Sequence, residues 1–349
     1  MQELSGSVGD GPVAGADLTV YTNGGEEIER TVSDQTAAYN VQVRTKGKHY
    51  PLLIEATGGT DLVTNVAPDF KLAGAALGPG RNEVANISPF STLAVAIAQE
   101  LPGGLTTENI VAGVEAVVTE LGSGLDSLAS AEVIDTEIDE SNAAEMVKAS
   151  ETLAEIFRRT NEVIVASRGE SSVEAVIDAL GSDLADGRLE GAGGANVDPQ
   201  VSAVARVAAG DVSLEAISNT LHVHGADATS ALDGAIATIA PEAADAPTAS
   251  LPISENLIAQ AKLGVAAASA LEPTEDLAAL AEALDSLQAG MLPTEAVEAL
   301  PAGAATALDP ALTRLTNGVA EDVAAVNAVS GGEAPGTGDP EPTDPTDPT

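Results

Sequence analysis

The sequence predicts an α+β chain of several domains: a small N-terminal β-sandwich, a mostly α-helical body and a disordered C-terminal tail. Three observations carry that prediction. Residues 3 to about 73 alternate apolar and polar side chains and are broken by turn residues about every ten to twelve positions, as in small sandwiches. From Ala85 onward the apolar residues recur at helical spacing. From Gly331 the chain becomes GGEAPGTGDPEPTDPTDPT, an acidic Pro-Thr stretch expected to be extended and unpacked. The expected boundaries are 1–84 for the sandwich, 85–243 for a helical bundle, 244–330 for an Ala-rich second helical region and 331–349 for the linker.

Taken in order, LSGSVGDGPVAGADLTVYT reads as two strands around the turn Gly9-Asp10-Gly11-Pro12. EEIERTVS, AAYNVQVRT and HYPLLIEAT are further alternating strands, with Asn23-Gly24-Gly25 and Lys46-Gly47-Lys48 as turns. ANISPFSTLAVAIAQ (85–99) is the passage from strand to helix: Ser88 suits an N-cap, Pro89 suits the first helical position, and Leu93 and Ile97 share a face. TTENIVAGVEAVVTELG is capped by Thr106 or Thr107. The longest helix, SNAAEMVKASETLAEIFRRTNEVIVASR, puts Met146, Leu153, Phe157 and Ile164 on one stripe. SSVEAVIDALGSDLADG opens with a capping box from Ser171 to Glu174 and stops at Gly187. DPQVSAVARVAAG, SLEAISNTL and ATSALDGAIATIA complete the bundle. Beyond PEAADAPTASLP, the segments EPTEDLAAL (272–280) and LPTEAVEAL (292–300) form a faint repeat, each with Pro then Thr at a helix start.

The N-terminal strand order resembles the carboxypeptidase-regulatory-like, or CnaB-like, prealbumin-type sandwich. Gly11-Pro12-Val13-Ala14-Gly15-Ala16 matches its first hairpin, Asp34 and Tyr39 its "TD…G-x-Y" segment, and Leu52 to Ala56 its closing strand. The sequence departs from the family at Ala37-Ala38, where Gly usually precedes the strand. Some relatives carry a Lys–Asn isopeptide bond whose Lys sits in the first strand. Residues 1–30 contain no Lys, so no such crosslink is expected and the module reads as a spacer. The string N-I-S-P-F-S-T-L resembles a junction that follows such sandwiches in bacterial envelope lipoproteins, and DLADGRLEG resembles segments of their helical domains.

Composition narrows the function. Hydrophobic residues make up 44% of the chain, enough for a packed core, but they are mainly small: Trp is absent and there are three Phe and three Tyr. The formal net charge is −40, from 54 acidic and 14 basic residues, a field that repels phosphate backbones and anionic membranes and attracts divalent cations and basic partners. Only five of the basic residues are Lys, a pattern that suits solubility in seawater or brine. Without Cys there are no disulfides, thiolate metal sites or cysteine nucleophiles. No run of apolar residues is long enough to span a membrane. Met1 runs directly into a β-like segment, which predicts that an export signal, and with it a lipid-bearing Cys, has been replaced by the start Met.

No catalytic constellation and no organic cofactor site emerges. G-x-S-x-G, P-loop and dinucleotide fingerprints are missing, and paired carboxylates for glycoside hydrolysis lack aromatic stacking partners. Calcium is the one cofactor weighed. Asp135, Glu137 and Asp139 form one candidate set, although the segment lacks the Gly and the final Glu of an EF-hand loop. Asp183, Asp186 and Glu190 around Gly187 form a second. The preferred expectation is more ordinary in both cases: an acidic loop capping the long helix, and a helix terminus with an Asx turn. His222 and His224 are the one close histidine pair, expected at a helix end or turn rather than around a metal.

The expectation is therefore a non-catalytic, exported bacterial surface or extracellular protein, lipoprotein-like, serving as a stalk, matrix or adhesin-like subunit. Its partners would be other subunits or envelope components, including copies of itself, and not nucleic acid. The alternatives are a periplasmic or surface ligand-binding module using a crevice around Pro89 and Phe90, and, lower, a hydrolase.

Overall fold

The computed structural model describes residues 2–122, 125, 132–194, 196–242, 253–288, 300–301 and 303–330. Helix makes up 53% and strand 16%. Among the described residues, every strand except the small hairpin at 222–227 lies before residue 85, so the chain is α+β with its sheets at the N-terminus. The linker 331–349 and most of the repeat at 292–300 lie outside the described residues.

Nine short strands build the N-terminal module: β1 (Gln2–Ser7), β2 (Val13–Ala14), β3 (Asp17–Tyr21), β4 (Glu27–Val32), β5 (Ala38–Val43), β6 (Leu52–Thr57), β7 (Thr60–Asp61), β8 (Leu72–Ala76) and β9 (Asn82–Val84). They form a four-stranded antiparallel sheet in the order β4-β3-β6-β8 and a three-stranded sheet β5-β1-β9, with β2 paired to β7. Period-two patterning decides which faces are buried. Tyr39, Val41 and Val43 of β5 point inward while Ala38, Asn40 and Gln42 point out, and Leu52, Ile54 and Ala56 do the same in β6. With Leu4, Leu18 and Val20 they share one core between the sheets.

Alternation fails at β8. All five of its residues, Leu-Ala-Gly-Ala-Ala, are buried, because helix α1 (Pro89–Glu100) covers its second face. β8 and β9 are the strands that sequence patterning does not reveal. β8 also ends its sheet, and at Ala73 its outward backbone groups are met by side chains rather than by another strand. Ala73 N–H donates to Thr92 Oγ1 (2.9 Å), and Ser91 Oγ donates to the Ala73 carbonyl (2.6 Å). A sheet edge, normally open to pairing, is sealed by a helix N-terminus.

The stretch ANIS extends the parallel pairing of β9 along β1. Ala85 N–H bonds Ser5 O (2.8 Å), Ile87 N–H bonds Ser7 O (2.9 Å), and Tyr39 Oη donates to Ala85 O (2.6 Å). Asn86 reaches into the helical body, its Nδ2 donating to Thr136 O (2.7 Å). Ser88 then caps α1 in a reciprocal box with Ser91, and Pro89 takes the first helical position.

The body continues with α2 (Thr107–Leu121, capped by Thr106), α3 (Glu132–Asp135), α4 (Ala143–Arg168), α5 (Val173–Asp183) and α6 (Pro199–Ile217). The expected stripe of α4 is buried at Met146, Leu153, Phe157 and Ile164. The cap of α5 is Ser172, whose Oγ accepts from Ala175 N–H (3.2 Å), so the expected box beginning at Ser171 is displaced by one residue. Helix α6 is buried on all sides from Gln200 to Ile217, with α4 on one flank and α8 (Glu255–Leu271) on another. Between α8 and the hairpin β10 (His222–Val223) and β11 (Ala226–Asp227) runs α7 (Thr229–Ile239); α9 (Glu275–Gln288) follows α8, capped by Thr274. The helices Asp309–Leu315 and Ala320–Ser330 return to pack on α6 and its neighbours. One apolar cluster runs from Leu4 to Val326, across both sequence boundaries at 84/85 and 243/244.

Candidate functional site

Of the carboxylates singled out by sequence, Asp139, Asp183 and Asp186 serve the backbone. Asp135 ends α3, and Glu137 and Asp139 lie in the loop before α4. Asp139 Oδ1 accepts from Ser141 N–H (2.8 Å) and Oγ (2.6 Å), bonds that hold its carboxyl below the usual range. Asn142 Nδ2 donates to the carbonyl of Glu137 (3.0 Å), so this loop shapes the start of α4. Asp183 is buried and receives Gly191 N–H (2.9 Å) and Ala192 N–H (3.0 Å); burial pushes its carboxyl up. Asp186 Oδ1 accepts from Arg188 N–H (3.0 Å) in an Asx-type turn, and Glu190 pairs with the Arg188 side chain at 3.6 Å. Among the described residues no three His, Cys, Asp or Glu side chains are placed to hold a metal ion, and neither trio converges. The histidines lie on a short hairpin, not a helix end. His224 takes a left-handed φ of 51° and is exposed, while His222 Nδ1 sits 3.5 Å from Glu215 Oε1.

A different set of residues converges. Glu151, Glu155 and Arg158 follow helical spacing along α4 and present one buried polar face, with Arg159 beside it. That face meets the tip of the β1–β2 loop, which carries Asp10, and the 62–71 loop, which carries Asp69. Arg158 bonds Asp10 through Nη2 and Asp69 through Nε (3.2 Å). Its Nη1 lies 3.6 Å from Oε2 of both Glu151 and Glu155. The guanidinium stacks over Phe70, 5.9 Å from the ring centroid, and Phe70 meets Phe157 edge-on at 6.1 Å. Two of the three Phe in the chain thus wall the cluster.

Arg159, next along the helix, faces the opposite flank. It reaches Glu155 (3.2 Å), Asp211 (2.5 Å) and Glu215 (2.7 Å), and also donates to the His222 carbonyl (3.2 Å). The two arginines therefore tie the sandwich, α4, α6 and the histidine hairpin into one polar network.

The Arg158 half is sealed. Asp10 is 1% exposed, Glu151 0% and Arg158 4%. The Asp10 loop packs so closely that a Cβ on Gly11 would strike Asp61 Oδ1 and Glu151 Oε1. Burial raises the Asp10 carboxyl to about 7 even against the attraction of Arg158. Glu151 is pushed well above the carboxylate range by burial and by the charge on Asp10. Burial also lifts Glu155, and takes Asp211 to about 7. Asp10 Oδ1 and both oxygens of Glu151 accept no hydrogen bond from any described residue.

Shifted carboxyls in a cleft are a mark of acid–base sites, but among the described residues only a small cavity adjoins this cluster. The cavity beside it, lined by Asp10, Asn86, Ser88 and Met146, measures about 20 Å³, space for about one water. Pro89 and Phe90 are themselves buried, so no crevice opens on them. A larger cleft of about 490 Å³ lies elsewhere, between α8, α9 and residues 301–314, lined by Leu271, Leu277, Leu280 and Arg314.

Sequence reasoning passed over Asp10 and Arg158, reading one as a turn residue and the other as part of a helix. The available signal was the adjacent pair Arg158-Arg159 in a chain with only 14 basic residues, set on a helix whose partner face is apolar. No family model matches the sequence, and no curated protein and no solved structure matches the chain.

Proposed function

We propose that the chain is a non-catalytic structural or interaction protein of a bacterial surface or extracellular space, acting as a stalk, matrix or adhesin-like subunit. The observation that carries this reading is the Arg158 cluster, which binds the sandwich loop to α4 with buried charge. The continuous core and the sealed edge of β8 act in the same sense. A subunit that holds or presents a surface needs its modules at a set angle, whereas an enzyme or lid-closing receptor needs them to move. Within this reading the N-terminal module is a prealbumin-type spacer. The acidic exterior selects divalent cations or basic surfaces as bridges between copies or to envelope components.

Sedimentation of the purified chain at low and high salt, with and without millimolar calcium, tests assembly, and protease shaving of intact source cells tests location. Calcium- or salt-dependent oligomers, with fragments released from whole cells, support the proposal. A monomer under every condition, protected until the outer membrane is opened, overturns it. The cleft of about 490 Å³ supports a second reading, a ligand-binding module, because its volume lies in the range of small-molecule sites. A ligand that raises the melting temperature, with the gain lost in Leu280→Arg, would favour it.

A further inference from the structure

We propose that Asp10 and Glu151, set against Arg158 from the two sides of the seam, keep one proton between them in the folded protein at neutral pH, and that this proton latches the sandwich to α4.

Asp10 is confronted by Arg158, Glu151 and Glu155 of α4, by Asp61 of β7 and by Asp69 of the following loop. Glu151 is confronted by Asp10, Asp61, Glu155 and Arg158. Lys148, one turn earlier on α4, acts with Asp233 of α7 instead. Arg158 is thus the cation facing both carboxyls, and it brings a single positive charge. Several of the acids have other means of support. Glu155 shares Arg159, Asp69 is 36% exposed and hydrated, and Asp61 accepts Val63 N–H (2.8 Å), Thr64 N–H (3.1 Å) and Thr64 Oγ1 (2.5 Å). The uncompensated charge falls on Asp10 and Glu151.

Geometry gives the same answer independently. Arg158 donates directly to Asp10 Oδ2, which leaves Asp10 Oδ1 and both Glu151 oxygens without a donor from any described residue. Two dry carboxylates facing one guanidinium, with three bare oxygens, carry a large desolvation cost. Binding one proton removes an anion from that set and supplies an O–H donor. The dyad titrates as a unit, so the proton belongs to the pair. Both carboxyls are raised, Asp10 to about 7. An acid raised by folding favours the folded seam fully below its unfolded value, and that contribution is lost as pH climbs through the folded one. The latch is therefore strongest in acid, loosens as pH rises above the unfolded carboxylate range, and loses the Asp10 contribution as pH passes about 7.

The test uses the whole chain. Infrared spectroscopy from about pH 5 to about pH 9 follows the neutral-carboxyl stretch, and hydrogen exchange, corrected for base catalysis, follows the amides of 8–13. At neutral pH a neutral-carboxyl band is expected that loses intensity in Glu151→Gln and in Asp10→Asn, with Asp211→Asn as the control for the other raised acid. Exchange in 8–13 should rise about tenfold or more from about pH 5 to about pH 9 in the natural chain, and stay nearly flat in Glu151→Gln. A band left at full intensity in both seam variants overturns the proposal, as does an equal rise with pH in Glu151→Gln. Should either variant fail to fold, the natural chain alone decides: no neutral carboxyl at pH 7 beyond that removed by Asp211→Asn rejects the latch.

Discussion

The seam between α6 and α8 is made of the smallest side chains in the molecule, and the seam between the sandwich and α4 is made of its most strongly interacting charges. At the first, Gly210 and Gly264 face each other so closely that a Cβ on either would strike the other's α-carbon. The neighbours are Val207, Ala208, Ala261, Val265 and Leu308, all buried. At the second, one buried guanidinium meets four carboxyls, three of them buried and the fourth, Asp69, at the surface. Close packing dominates the helix pair, through dispersion and burial that respond little to salt or pH, with one buried hydrogen bond from Arg206 Nη1 to Gln260 Oε1 (3.4 Å) beside it. The charged seam carries a desolvation cost that must be offset by geometry, and it responds to protons. A chain poor in large apolar residues can close a helix pair by close approach. It has little bulk with which to fill the wider gap between loops and a helix, and there it uses an arginine flanked by two phenylalanines.

Four substitutions break or sharpen that comparison. The largest effect is expected from Arg158→Met, which leaves Asp10 and Glu151 buried without their cation and should cost about 3–5 kcal/mol. Urea unfolding should show a smaller loss near pH 5 than near pH 8, because the raised carboxyls are neutral in acid and must shed protons as pH passes through about 7. A loss independent of pH would mean that Arg158 works by packing.

Gly210→Val attacks the apolar seam and should cost about 3 kcal/mol through overpacking, with no change in pH profile. A pH-dependent loss there would show that the two seams are coupled. Thr92→Val removes the acceptor for Ala73 N–H and should cost about 1–2 kcal/mol. It should also speed amide exchange along β8, which an effect confined to α1 would not do. The smallest effect runs the other way. Ala37 is held at φ 61°, a left-handed conformation that favours Gly, so Ala37→Gly should stabilise by up to about 1 kcal/mol in thermal melts, less the buried methyl it gives up. A lower melting temperature would show that the methyl matters more than the strain.

Much of this architecture was legible from local chemistry. Ser88-Pro89 marks a helix start in any context, because the cap and the fixed proline φ act within one turn. The alternation in β5 and β6 reports a sheet with one wet face. Where local signals end, sequence reading errs in an orderly way. β8 shows no alternation because both its faces are dry, a property of α1 lying on it rather than of Leu72–Ala76 themselves. Ser171 and Ser172 are equally good caps by type, and the approach of the chain selects the second. The acids at 135–139 and 183–190 stood out by density, yet density does not make side chains converge: Asp139, Asp183 and Asp186 bind backbone N–H groups nearby, and Glu190 an adjacent arginine.

The sequence by itself determined the order of sheets and helices, their caps and the sign of the surface, since each depends on contacts a few residues long or on composition alone. Only the tertiary structure decided that Asp10 and Asp69 meet on a buried Arg158. Their partners lie 148 and 89 residues apart along the chain. No periodicity spans that distance, and the cost of burying such charges is met only where two modules have already closed over them.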